Sequence, residues 1–592
     1  MTALRYFLLS FVITLQLFAA AGDEPPRHLS PRGAKNLDAF TRLLGYVRFY
    51  HPSDQSAAAD WNSVAMAGVQ TMESADDTAD LVQKLDAFFR PLAPTLRVYP
   101  TGQRPPVPDE LQPRPNPVVM YWGHIGVGLP GGPGYFFSDR YTYPGTHVAG
   151  SPLPAPYEPL EVSLGDGISA LLPITVFTEA GVTVPHSTAP APAPVKPAGF
   201  VPSGNDRVTR LAGIVLAWPV FTHFYPYFDQ VQVDWSAELP KALNAAADDP
   251  NERAFVDTLR RLVAALDDGH ARVAHASWPR GYQLPIVWTW IDNKLVVTHA
   301  GPGTTLAAGD IILTIDNRPA KQVCDEELAL APGATPQHLR SRALDSMLLG
   351  GQSSEVHFRV LRHHGGVDEV TVRRTLPNAG NSAQTFLTEP RPEKISTIRP
   401  GIVYVDIARI TYDEFYAAMD QLIPAEGIIF DFRGYPWDLD PWFLEHLTDQ
   451  PMRTDLFEDP LFWLPEQQQV EYFDGGWFVG VSAPRLTSNV AFITDGRAVS
   501  YAESLMGIVE HDHVGEIVGE ATAGTNGNVN FMQLPGNYVL RFTGLRVRKQ
   551  DGSPHHGVGI LPTVPAVRTM EGIRAGRDEF LEKAIEVIES KR

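Results

Sequence analysis

Two residues far apart in the chain have the types and settings for nucleophilic chemistry. In Asn489-Val-Ala-Phe-Ile-Thr494-Asp495-Gly-Arg-Ala-Val-Ser500, an apolar strand ends in a short turn and Ser500 opens a helix that runs to about Glu510. A hydroxyl at such an elbow can stand exposed above the strand. The free N–H groups and positive dipole end of a helix start can stabilise an oxyanion that forms beside it. Serine is also a favoured helix cap, which by itself accounts for the residue type. A serine hydroxyl needs a base, and Leu266-Asp267-Asp268-Gly269-His270 sets a histidine just past a helix over 252–266, where its ring can reach a cleft. Sequence distance is no objection, because catalytic groups assemble in space.

Other reactive residue types carry less. His511-Asp512-His513 and His555-His556 have no third ligand at helical spacing, so surface histidines are the simpler reading and no metal is expected. The turn-rich loop Pro130-Gly-Gly-Pro-Gly134 is not set between strand and helix as a phosphate cradle requires. Cys324, the single cysteine, can neither form an intrachain disulfide nor build a thiolate zinc site, and reads as a small buried hydrophobe. No cofactor is implied.

The elements that must hold Ser500 and His270 fall into several units. Buried-strand runs at Gly401–Ile407, Gly427–Asp431, Asn489–Thr494 and Gly515–Gly519 alternate with helical patterns at Tyr412–Leu422 and Ser500–Glu510, which predicts an α/β domain with parallel pairing. Residues 281–385 form a β-rich module, with a hairpin turning at Asp292-Asn293 and a strand following Gly309-Asp310. Helical periodicity over 204–280 echoes 35–93: Thr41-Arg42-Leu43-Leu44-Gly45 is matched by Thr209-Arg210-Leu211-Ala212-Gly213, and Tyr50-His51-Pro52 with Trp61 by Phe224-Tyr225-Pro226 with Trp235. That spacing reads as an imperfect duplication of a helical unit. Short β-rich runs such as Pro117–Trp122 fill 111–187, and Thr188–Pro197 is an Ala/Pro tract that predicts a semi-rigid linker over 188–203.

Composition narrows the partners. The chain has 592 residues, 48 Lys+Arg against 68 Asp+Glu and a formal charge of −20, so it lacks the basic footprint of a nucleic-acid binder and is not drawn to anionic membranes. Hydrophobic residues make up 44% and charged ones 20%, the mix of a globular chain of roughly three to five domains. Residues 1–21 have the form of a secretory signal peptide: Arg5, an apolar run from Tyr6 to Phe18, then Ala19-Ala20-Ala21 before Gly22-Asp23-Glu24. Cleavage after Ala21 would leave an exported protein, periplasmic or secreted, with no membrane span.

Taken together, residues 200–570 resemble the tail-specific or C-terminal processing serine peptidases, and more closely their tricorn-like branch. The resemblance rests on Leu266–His270, on Gly309-Asp310-Ile-Ile-Leu-Thr-Ile in a PDZ-like module, on Ile428–Gly434, on the Ser500 elbow followed by Val518–Gly524, and on Asp551–Pro562. It implies a crotonase-like α/β peptidase core at 386–592, preceded by the helical unit at 204–280 and the PDZ-like domain at 281–385. An additional helical domain at 22–110 and a β-rich domain at 111–187 stand in front.

The resemblance also implies roles. Ser500 falls on the nucleophile, His270 on the general base and the Tyr501 N–H on the oxyanion donor. The processing branch has a base lysine where this chain has Thr525, which disfavours a Ser/Lys dyad. Where the tricorn-like pattern has a Glu that orients the base, this chain has His556, with Glu520 as the other candidate. The family's Asn-x-Gly-Gly is replaced by Tyr435-Pro436-Trp437-Asp438, which leaves Gly434 or Trp437 as second oxyanion donor, since Pro436 has no N–H. The PDZ-like module implies capture of substrate C-termini near Tyr282-Gln283-Leu284, or only a scaffold. The function implied is an exported serine peptidase acting on peptides or proteins. The alternatives are a peptidase fold that binds peptide or apolar ligands without turnover, and a hydrolase of other acyl groups.

Overall fold

The computed structural model describes residues 22–128, 134–277, 281–378 and 387–591. The leader at 1–21 and most of the Pro130–Gly134 loop lie outside the described residues. Among the described residues no helix is long and apolar enough to cross a membrane.

The two echoed segments carry helices in matching order. Helices α1 (Pro31–Tyr50), α2 (Trp61–Met72) and α3 (Thr78–Phe89) are repeated as α4 (Arg207–Phe224), α5 (Trp235–Asp248) and α6 (Glu252–Ala264). Each opens on a Ser, Asp or Asn whose side chain accepts from a first-turn N–H. α1 and α4 end in the same way. Their caps, His51 (φ −82, ψ 114) and Tyr225 (φ −80, ψ 116), are pushed into extended backbone by the prolines that follow them.

Both copies and the β-rich segments between them share one hydrophobic core, from Leu37 and Phe40 through Phe177 to Phe221 and Leu259. The Ala/Pro tract therefore does not separate two cores. It lies along the surface, with the Val195 backbone bonded to Gln70 and the Lys196 ammonium on Asp206 at 2.6 Å. Across it, the buried Arg207 guanidinium grips Glu73 with two 2.8 Å hydrogen bonds.

Strand β1 (Arg272–His275) follows α6. The module after it has a five-strand antiparallel path from Ile286–Ile291 to Val367–Arg373, helices Ala320–Leu328 and Pro336–Leu348, and its own core around Trp288 and Phe358. Its predicted hairpin turn is present, with Asp292 (φ 49) and Asn293 (φ 59) both left-handed.

Beyond it, β2 (Ile395–Arg399), β3 (Ile402–Asp406), β4 (Gly427–Asp431), β5 (Asn489–Thr494) and β6 (Glu516–Gly519) form a sheet that Val564–Pro565 extends. β2–β3 is antiparallel and the remaining pairs are parallel. One face packs on α7 (Tyr501–His511) through Leu505 and Ile508, the other on α8 (Glu579–Glu589) through Phe580 and Ile588. The helix expected over Tyr412–Leu422 is broken at Ala418 into two short pieces.

One connection crosses between units. β7 (Val529–Leu534) and β8 (Tyr538–Thr543) form a hairpin after α7, and β1 pairs with β8 in the register Arg272↔Arg541 and Val273↔Leu540. The turn that carries His270 is thereby fastened to the domain that carries Ser500.

Candidate functional site

Ser500 caps α7 with φ 59 and ψ −118, a backbone that L residues avoid and that costs roughly 1–3 kcal/mol. Surrounding bonds hold it there. The Ser500 N–H donates to the Thr525 carbonyl (2.9 Å) and to Glu503 Oε2 (3.3 Å). Glu503, fully buried, also accepts from the N–H groups of Gly524 (2.7 Å) and Thr525 (2.9 Å). Behind it lies the buried His555 ring, 3.4 Å from Glu503 and 3.2 Å from Asp455. Burial disfavours its charge, yet the two carboxylates prevail and hold its pKa up at about 9.

His270 is buried and cross-strand from Thr543. Its Nδ1 lies 2.9 Å from Thr543 Oγ1, and that hydroxyl donates to Asp268 Oδ1 at 2.7 Å. Asp268 also accepts from the N–H groups of Thr543 (2.7 Å) and His270 (2.9 Å). Since Thr543 gives its proton to the carboxylate, it receives one from Nδ1, which leaves the Nε2 lone pair of a neutral ring free. Nε2 has no hydrogen-bond partner. Burial first, then the charges of Arg541 and Arg342 and the nearby rings of His338 and His556, hold His270 well below the usual histidine range. Burial raises Asp268 against its hydrogen bonds.

Thr525 joins the Ser500 and His270 turns. Its carbonyl takes the Ser500 N–H, and its hydroxyl accepts from the Gly269 N–H at 3.1 Å. The module contributes from the other side, where Arg342 donates to the Gly269 carbonyl at 2.9 Å.

The remaining expected residues fall as follows. Tyr501 is the first residue of α7, where backbone N–H groups lack intrahelical acceptors. Gly434 is corrected as an oxyanion donor, because its N–H is engaged by the Phe432 carbonyl at 2.8 Å. Neither His556 nor Glu520 hydrogen-bonds His270. His556 stacks on Tyr227 at 4.0 Å, and burial pulls it down to about 3. Glu520 sits among Asp495, Arg568 and Arg497 at the end of β6, where burial raises its carboxyl. Tyr282-Gln283 is paired on both edges, by Leu349-Gly350 and by Leu376-Pro377, and Leu284 is buried in the module core, so no free edge remains there for a peptide.

A cavity of about 650 Å³ opens over Ser500. Tyr435, Trp442, Trp477 and Phe531 are among its aromatic walls, and Asn526 and Ser504 among its polar ones. Tyr435 lines the cavity beside Ser500, and its ring lies 4.4 Å from Trp437. Sequence reasoning missed Thr543, the paired role of Asp268 and the wall residue Asn526. Only the Asp-Asp-Gly stop before His270 hinted at any of them.

Residues 461–566 match the model of peptidase family S41. No curated protein matches the chain. Among solved structures, mature CPAF complexed with lactacystin shares the fold at TM-score 0.52 and 15% identity, over 64% of this chain and 97% of that one. Uncomplexed mature CPAF gives TM-score 0.52 and 15% identity over 64% and 96%. The photosystem II D1 C-terminal processing protease gives TM-score 0.36 at 16% identity, over 63% and 98%.

Proposed function

With an S41 peptidase segment as the premise, we propose that this chain is an exported serine peptidase that works through an acyl-enzyme on Ser500, with His270 as its general base. The observation that carries the reading is the unpartnered Nε2 of His270, held neutral and aimed by Thr543 and Asp268 on a turn that shares Thr525 with the Ser500 elbow. Substrate enters the cavity over Ser500. Nε2 takes the hydroxyl proton as Oγ attacks the peptide carbonyl, and the Tyr501 N–H donates to the oxyanion. As the tetrahedral species collapses, the C–N bond breaks and the imidazolium returns the proton to the leaving amine. Water, deprotonated by the same nitrogen, then clears the acyl group. Asp268, reached through Thr543, supplies the negative charge that offsets the transient imidazolium.

Export is read from residues 1–21. Selection by substrate C-termini is not built at Tyr282–Leu284, and Arg342 supports the scaffold role for the module. A second reading, a peptidase fold that binds peptide without turnover, draws on the aromatic cavity walls Tyr435, Trp442 and Trp477. A fluorophosphonate separates the two: one adduct by intact mass, lost in Ser500→Ala, is expected, and an unlabelled but folded wild type would leave the binding reading.

A further inference from the structure

Two of the backbone positions after β4 offer no second oxyanion donor. Pro436 has no N–H, and that of Gly434 is already given to Phe432. Oxyanion holes in acyl transfer use preorganised amide donors, and a side-chain amide serves as well as a backbone one. We propose that the Asn526 side-chain amide is the second donor, acting through Nδ2, and this rests on Ser500 being the nucleophile.

Asn526 is 2% exposed. Its Oδ1 accepts from Ser504 Oγ (3.0 Å) and from the Gly527 N–H (2.8 Å). A backbone N–H can only donate, so the second bond settles which end of the amide is oxygen. The same two bonds hold the amide plane still. Among the described residues Nδ2 is buried without a hydrogen-bond partner. Buried polar groups are nearly always satisfied, and an exception in a reaction cavity points to a partner that arrives with substrate.

Its position agrees. Asn526 directly follows Thr525, whose carbonyl holds the Ser500 N–H at 2.9 Å, and Ser504, which anchors Oδ1, lies one turn along α7 from Ser500. Asn526, Ser500 and Tyr501 line the same cavity, whose lining includes no Lys, Arg, His, Asp or Glu. Charge developing on a substrate oxygen there must be met by uncharged donors. In acylation the carbonyl π pair moves onto oxygen as the Ser500 Oγ–C bond forms and the serine proton passes to His270. The Tyr501 N–H and Asn526 Nδ2–H donate to that oxygen without transferring a proton, and release it when the C–N bond breaks.

The test uses the full mature chain and a fluorophosphonate, whose phosphoryl oxygen occupies the oxyanion position as Ser500 is phosphonylated. Asn526→Asp keeps the acceptor that holds Ser504 and Gly527 but turns the donor into an acceptor. Asn526→Ala removes both and decides the matter if the aspartate does not fold, with thermal midpoints reporting folding. The labelling rate at saturating probe is expected to fall roughly 10²–10³-fold with the half-saturating concentration little changed. Labelling of the variants within threefold of wild type removes the Asn526 donor and leaves the peptidase reading intact. A wild type that labels no faster than Ser500→Ala removes that reading and the donor with it.

Discussion

The two helical units share a frame and differ in what hangs from it. In the first, the cap residue of α1, His51, reaches the turn after α3: Nε2 lies 2.9 Å from Thr95 Oγ1 and Nδ1 lies 3.0 Å from Ser53 Oγ. In the second, the cap residue of α4, Tyr225, reaches the turn after α6, where its hydroxyl donates to the Leu266 carbonyl at 2.7 Å. Both caps brace the same kind of turn. The first turn returns the chain to the core through Leu92 and Leu96, whereas the second adds Asp268-Gly269-His270 and pairs with β8. His51 and His270 are both buried and both held below the usual histidine range, His51 at about 3 by burial alone. What separates them is valence: His51 has both ring nitrogens engaged, and His270 has one free. A depressed pKa is therefore common to both rings, and the unused nitrogen on the turn that shares Thr525 with Ser500 is what distinguishes His270 from His51.

The sharpest way to break this comparison is to remove each ring. His270→Ala is expected to lower kcat/KM by about 10⁴-fold or more with little change in thermal midpoint. His51→Ala should do the reverse, costing about 1–3 kcal/mol because Ser53 and Thr95 lose their partner, with turnover per folded molecule unchanged. Activity that survives His270→Ala, or dies with His51→Ala in a folded protein, would reverse the assignment.

A smaller effect tests the relay. Asp268→Asn should cost roughly 10²–10⁴-fold in kcat, Thr543→Val about tenfold to a hundredfold, and Thr543→Ser should recover most of that. Since His270 is depressed in the folded state and must be neutral to act, the acid limb of kcat/KM should lie below pH 6.5. Asp268→Asn, which removes the nearby negative charge, should move it lower still. An unmoved limb in that variant would leave Asp268 as an anchor for the turn only.

The smallest effect concerns the matched glycines. A Cβ at Gly45 would stand 2.5 Å from Pro219 Cβ, where α1 and α4 meet, whereas one at Gly213 would meet only the Phe255 ring tip at 2.9 Å. Gly45→Ala is expected to cost about 1–3 kcal/mol in urea unfolding, and Gly213→Ala less, partly offset by helix propensity. Equal losses would mean that the copies pack with equal tolerance.

Much of this was legible in the sequence, and the remainder has a common physical cause. Apolar runs such as Gly427–Asp431, buried on both faces, announced the parallel strands, and helical periodicity announced the helices. Ser500 and His270 could be named because each sits at an element boundary with a recognisable approach. Thr543 could not: it is one threonine in an alternating strand and acquires its role only when β8 pairs with β1. Asn526 is hidden likewise, since an unpaired Nδ2 is a property of packing and not of residue type. The Ala/Pro tract misled because composition reports local stiffness, while Arg207 and Glu73 show that the units on either side are fastened together.

The β1–β8 ladder has a further consequence, in time. His270 and Thr543 are 273 positions apart, and the bond that sets the base closes only when both strands are in place. Contacts of such long range form late, because loop-closure entropy must be met before they contribute. A nascent or partly folded chain thus has a serine and a histidine but no working pair between them. Under the proposed mechanism, proteolytic competence is a product of completed folding, which protects the chain from itself while its own segments are still open to cleavage.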